Sequence, residues 1–157
     1  MQIENPALRI VLVEPEIPPN TGNIARLCAA TRLHLVLVGK LGFSLDERHL
    51  KRAGLDYWPF VSWTHEPDLE SWLAAQAPHS FHLLSTRVPT PYTHMPVTWG
   101  DALVFGKETA GLPADLLRRY SAQCYTIPMA EPGVRSLNLS SSVALVTYDA
   151  LRRVRPF

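Results

Sequence analysis

Residues 125–153 read YTIPMAEPGVRSLNLSSSVALVTYDALRR, and this stretch decides the fold. A short apolar strand ends at Ile127, after which Pro128, Pro132 and Gly133 break regular structure. Arg135-Ser136-Leu137-Asn138-Leu139-Ser140 then alternates polar and apolar side chains, and a helix follows at once. Asn138 or Ser140 can cap its first turn, because a short side-chain oxygen accepts from the unpaired N–H groups there. Leu139, Val143, Val146 and Ala150 form one apolar stripe along the helix, and Ala144, Tyr148 and Leu151 form a second. Cover that wide predicts burial on two sides, one against the chain's own domain and one against a partner subunit. A strand end, a polar loop and a helix converge here, as they do where α/β proteins place binding sites.

Upstream, short apolar runs recur between helical patterns. Arg9–Val13, His34–Val38, Phe81–Leu84, Ala102–Phe105 and residues 124–127 read as strands, with a weaker one over 58–63. Helical spacing covers 21–31, where Ile24, Leu27, Cys28 and Thr31 share a face, and also 46–53, 68–77 and 112–119. Strands alternating with helices predict an α/β fold, a mostly parallel sheet between helices. Residues 87–100 (RVPTPYTHMPVTWG) hold three prolines and no clear element, and a loop that long in a small domain is usually functional or mobile.

At 157 residues the chain is expected to form a single domain, 1–157, with a proper core. Residues 22–55 carry six cations against two carboxylates, while residues 56–86 carry four carboxylates and no Lys or Arg. A nucleic-acid face and two ordinary solvated faces explain this equally well. Cys28 and Cys124 stand far apart with no CxxC spacing, which predicts free buried thiols in a reducing cytosol. The N-terminus lacks the features of a signal peptide, and no apolar run reaches membrane-spanning length, so a cytoplasmic protein is expected.

Polar residues gather after the strands: Asn20, Asn23 and Arg26; Ser85 and Thr86; Gly106, Glu108 and Gly111; Ser136 and Asn138. In a parallel sheet those loops share one edge, so these groups can meet in one crevice. Several common sites are missing. The glycines never form GxGxxG, and there is no GxxxxGK[ST] and no GxSxG. His79 and His82 lack further ligands nearby, so no metal site is expected. Arg, Glu, Ser and Asn with backbone groups suit transfer of an already activated group to a hydroxyl better than redox chemistry or metal hydrolysis.

Asn20-Thr21-Gly22-Asn23-Ile24-Ala25-Arg26 resembles the first motif of the SPOUT methyltransferases that modify RNA ribose. Residues 104–113 (VFGKETAGLP) resemble the second, FGxExxGLP, and Ile127-Pro128-Met129 with residues 135–140 is similar to the third. The likeness covers nearly the whole chain. The opening EPEIPPNTGN and RAGLDYW over 52–58 are similar to the TrmL type, which acts on the wobble nucleotide of tRNA and consists of the catalytic domain alone.

The resemblance implies an α/β-knot fold with a C-terminal trefoil knot, and a homodimer, consistent with the helix over 139–153. It implies S-adenosyl-L-methionine as cofactor, released as S-adenosyl-L-homocysteine, on Leu84, Gly106, Ile127, Ser136 and Leu137. It implies methyl transfer to the ribose 2′-OH of a wobble C or modified U in a tRNA anticodon loop. Arg26 would activate the hydroxyl, as a base or as a phosphate clamp. Ser136 and Asn138 would hold the ribose and shape the cofactor loop, and Glu108 would orient that loop or Asn23, or else simply form a salt bridge to a nearby arginine. RNA would also be held by Arg48, Lys51, Arg52 and the arginines of the C-terminal tail. Methylation of another tRNA or ribosomal RNA site, and a catalytically silent RNA-binding protein of this fold, are the alternatives.

Overall fold

The computed structural model describes residues 2–44 and 57–155. Its elements are β1 (Arg9–Val13), α1 (Pro18–Thr31), β2 (His34–Val38), β3 (Ser62–Glu66), α2 (Leu69–Ala74), β4 (Phe81–Leu84), β5 (Ala102–Phe105), α3 (Ala114–Arg119), β6 (Cys124–Tyr125) and α4 (Leu139–Val154). The strands form one sheet in the order β3-β2-β1-β5-β4-β6, and every pair is parallel. The helix expected over 46–53, with Arg48, Lys51 and Arg52, lies outside the described residues.

The register explains the two cores. Ile10 lies between Leu35 and Leu103, and Val11 lies between Val36 and Val104. Successive side chains point to opposite faces, so the longer Ile10, Leu12, Leu35, Leu37, Leu103 and Phe105 meet α1 and α4. The β-branched Val11, Val13, Val36, Val38 and Val104 meet α2 and α3 on the other face. Both faces are covered, which is why the strands read as near-continuous apolar runs. The chain lays β2 and β3 on one side of β1, then returns to place β5 and β4 on the other. Loops leaving β1 and β5 therefore diverge and open a crevice at the carboxyl edge of the sheet.

Four corrections to the sequence reading have local causes. Helix α1 starts at Pro18 rather than at residue 21, because proline is well placed in a first turn where N–H groups have no partner. Trp58–Phe60 is a 3₁₀ turn and the strand follows it, since Pro59 cannot donate to a ladder. β6 stops at Tyr125, because Thr126 bonds instead to the long loop, donating to the Thr90 carbonyl and accepting from Tyr92 N–H. On α4, Leu151 is buried with the first stripe, so the exposed apolar residues are Leu145 and Tyr148, 39% and 45% exposed.

Two tail arginines assigned above to RNA bind the chain itself. Arg153 donates to the Met95 carbonyl in the long loop, and Arg155 donates to the Thr31 carbonyl at the end of α1. Arg152 is paired with Asp149. Loop 87–100 is thus tied to β6 and to α4, with Met95 buried in the core. Both cysteines are free and buried, and burial pushes the Cys28 thiol up to about 12, so it stays protonated and unreactive.

Candidate active site

A cavity of about 500 Å³ opens where the loops after β4, β5 and β6 face the start of α1. That size suits a small-molecule ligand. Leu84, Phe105, Ile127, Met129 and Leu137 give it apolar walls, and Arg87, Lys107 and Arg135 bring positive charge to it. Gly106, Glu108, Ser136 and Asn138 line it as well. All five expected cofactor residues, Leu84, Gly106, Ile127, Ser136 and Leu137, therefore share one cavity.

The loop after β5 needs both of its glycines. A Cβ on Gly106 would overlap the backbone of Gly111 and Leu112, and Gly111 has a φ of +65°. The loop closes on itself through Gly111 N–H donating to the Lys107 carbonyl at 2.9 Å. This tight return presents Glu108 to the start of α1.

Glu108 does what no residue near α1 can do. One carboxylate oxygen accepts the Glu16 N–H at 2.9 Å, and the other accepts the Ile17 N–H at 2.7 Å. Ile17 at the helix cap has no side-chain oxygen to offer, and a carboxylate from a loop about ninety residues away binds the N–H of this cap residue, as the acidic member of a capping box does. In return the Glu16 carboxylate accepts from the Thr109 hydroxyl at 2.7 Å and its N–H at 3.1 Å. The Thr109 hydroxyl, then its N–H, hold the Glu16 carboxyl below its ordinary range. This contribution is present at neutral pH and is lost as the pH falls through that lowered value.

The clasp continues across the cavity. Asn20 donates to Glu108 at 3.3 Å, and Asn138 donates to the Asn20 side-chain oxygen at 3.1 Å. The other end of the Asn138 amide caps α4, accepting from Ser140 N–H at 2.9 Å and from Ser141 N–H at 3.4 Å. One polar chain, Glu108–Asn20–Asn138, thereby joins the starts of α1 and α4 to the loop after β5. Both ends of the Asn138 amide and both oxygens of Glu108 are engaged in joining these elements. The Ser136 hydroxyl has no hydrogen-bond partner among the described residues and stays available to a substrate. Asn138→Ala is expected to lower stability by about 1 kcal/mol through the lost cap. Asn138→Asp keeps the capping oxygen and should recover most of that loss in thermal unfolding.

Asn23 and Arg26 do not line the cavity of their own chain. Both are exposed on the outer face of α1. The partner of Glu108 is Asn20, a residue the sequence reading grouped with this loop but passed over in favour of Asn23. Helical spacing carried the signal: Asn20 lies one turn before Ile24 on the buried stripe, whereas Asn23 lies with Arg26 on the opposite side. No salt bridge from Glu108 to an arginine occurs among the described residues; its partners are amides. Arg26 instead stacks on Tyr57, its guanidinium carbon 4.2 Å from the ring centroid.

Apolar walls suit a flat ring and the cations at the cavity suit a carboxylate, so the residues fit an amino-acid-bearing nucleoside. Among the described residues no group of three or more His, Cys, Asp or Glu could hold a metal ion, and no helix is long and apolar enough to cross a membrane.

The SpoU rRNA Methylase family model matches residues 7–148. The tRNA (cytidine(34)-2′-O)-methyltransferase of Escherichia coli (strain K12) is 45% identical over 148 residues, covering 94% of each chain. A solved structure described as giving structural insights into the 2-OH methylation of C/U34 on tRNA is 40% identical, with a TM-score of 0.83, covering 96% of this chain and 97% of that one. The SpoU methyltransferase AviRb from Streptomyces viridochromogenes, solved with AdoMet, shares the fold at a TM-score of 0.74 and 22% identity, over 96% of this chain and 59% of that one.

Proposed function

The chain belongs to the SpoU rRNA Methylase family, and on that premise we propose that it methylates the ribose 2′-OH of the wobble nucleotide, C or modified U, in a tRNA anticodon loop. The observation that carries this reading is the cavity at the carboxyl edge of the sheet, where three loops and the polar chain Glu108–Asn20–Asn138 meet. Leu84, Gly106, Ile127, Ser136 and Leu137 hold S-adenosylmethionine there. When bound, this cofactor supplies a methyl group already activated on a sulfonium sulfur.

The residues of the chain do the rest. Ser136 offers its hydroxyl to the ribose. Asn138 and Glu108 fix the loops, so that donor and acceptor are held in line, and alignment of that kind can supply several kcal/mol of the barrier, up to about 10. The 2′-OH must lose a proton as its oxygen bonds to the methyl carbon. Among the described residues of the cavity there is no histidine, and its one carboxylate, Glu108, is bound to amides. The resemblance to the family gives the activating role to Arg26, which does not line the cavity of its own chain. It either takes the proton, aided by the RNA phosphate, or clamps that phosphate while the proton leaves to phosphate or water.

A homodimer fits this assignment. The exposed face of α4 offers Leu145 and Tyr148, and Arg26 lies on the outer face of α1, which packs beside α4. A two-fold contact through these helices places Arg26 at the interface. The trefoil knot belongs to the same proposal, with the segment between β6 and α4 as the threaded one. The protein acts on cytoplasmic tRNA. Nucleoside mass spectrometry of tRNA from cells lacking the gene tests the reading. One 2′-O-methyl nucleoside at the wobble position should vanish, and an unchanged set of 2′-O-methyl nucleosides would refute it.

A further inference from the structure

Arg26 makes no hydrogen bond and no ion pair among the described residues. What holds it is the face of Tyr57, with the guanidinium carbon 4.2 Å from the ring centroid. Tyr57 is itself held. It caps the 3₁₀ turn Trp58–Phe60, accepting from Phe60 N–H at 2.9 Å. Its neighbour Trp58 packs against the core and against the Trp63 ring, 4.7 Å away between centroids. The backbone at Tyr57 is thus anchored to the sheet through the next residue, and its ring lies against a long side chain.

A stack differs chemically from a salt bridge. A carboxylate partner would occupy the N–H donors of the guanidinium and cancel its charge. An aromatic face attracts the cation through the ring quadrupole and leaves the donor edge in the guanidinium plane open. It also removes rotamer freedom that RNA would otherwise have to remove on binding. We infer that Tyr57 is a positioning residue, whose ring presents the Arg26 guanidinium to the RNA backbone and the reacting ribose with no donor taken up among the described residues. The inference rests on the proposed function and adds to it a residue outside the three sequence motifs.

The test uses the full-length chain, an anticodon stem-loop RNA and two variants, Tyr57→Phe and Tyr57→Leu. Phenylalanine keeps the face, so Tyr57→Phe should transfer methyl within about twofold of wild type. Leucine removes it, and the single-turnover rate should fall roughly 3- to 30-fold, the range of a cation–π contact. Cofactor affinity and melting temperature should stay close to wild type for both, since Tyr57 lies outside the cavity. The side-chain NMR signal of Arg26 supplies a readout independent of activity. Its Nε–H and Cδ–H protons should be shifted upfield by the ring in wild type and Tyr57→Phe, and released in Tyr57→Leu. Equal rates for Tyr57→Leu and wild type, or equal losses for both variants, would overturn the inference. A wild-type chain that transfers no methyl would refute the parent reading instead, and the NMR shift would then decide the pairing alone.

Discussion

Arg26→Ala is expected to abolish measurable turnover, lowering single-turnover methyl transfer by about 10²–10⁴-fold, the range of one lost proton-transfer group. Cofactor binding measured by calorimetry should be unchanged, because Arg26 does not line the cavity. Melting temperature should change little, since the side chain is exposed and its one described contact is with Tyr57. This separation of chemistry from binding tests the idea that activation comes from outside the cavity. Arg26→Lys then distinguishes the two roles. A lysine keeps the charge that clamps a phosphate but loses the planar fork. Near-normal activity in Arg26→Lys would remove the proton-accepting version and leave the clamp.

Gly106→Ala should be the most damaging single change to the cofactor site. The added methyl would overlap the carbonyl carbon of Gly111 and the amide nitrogen of Leu112, both backbone atoms that no rotamer change can move. The strain of such overpacking is about 3 kcal/mol, which lowers the melting temperature by roughly 6–12 °C in a chain of this size. Relief would come from opening the loop, and opening the loop withdraws Glu108 from Glu16 and Ile17. Cofactor affinity should therefore fall with stability. Gly133→Ala is the control. Its Cβ would meet only the flexible end of Glu131, at 3.1 Å, so cofactor affinity should persist.

The strands were legible because each is a short apolar run covered on both faces. β1, β2, β4 and β5 occupy the same residues in the structure as in the sequence reading. Asn138 was legible as a cap for the same local reason, since its oxygen reaches N–H groups two and three residues on. What escaped was set by partners far along the chain. The start of α1 is completed by Glu108, and β6 is shortened by residues 90–92 of the long loop. Arg153 and Arg155 read as a basic tail until their carbonyl partners are known. The exchange of Asn23 for Asn20 is different. The phase of the helix placed Asn20 with Ile24 and Cys28, and a strict count of that phase would have identified it. Pro59 likewise marked the 58–63 run as no plain strand.

The motifs brought the five expected cofactor residues to one cavity, while the contacts between the loops were not legible in them. Glu108 and Asn138 look catalytic as isolated residues, yet each also makes hydrogen bonds that join loops. The Ser136 hydroxyl has no hydrogen-bond partner among the described residues, and outside the cavity Arg26 stacks on Tyr57. In the proposed function, methyl transfer depends on bringing the α1 face and the cavity to one ribose, and the proposed dimer through α1 and α4 is the means.

The most direct measurement is transfer of a labelled methyl group from S-adenosylmethionine to two anticodon stem-loops that differ by one atom. One carries ribose at the wobble position and the other carries 2′-deoxyribose there. The purified chain should label the first and leave the second unlabelled. Equal labelling of both, or labelling of neither, would contradict a methyltransferase acting on that hydroxyl.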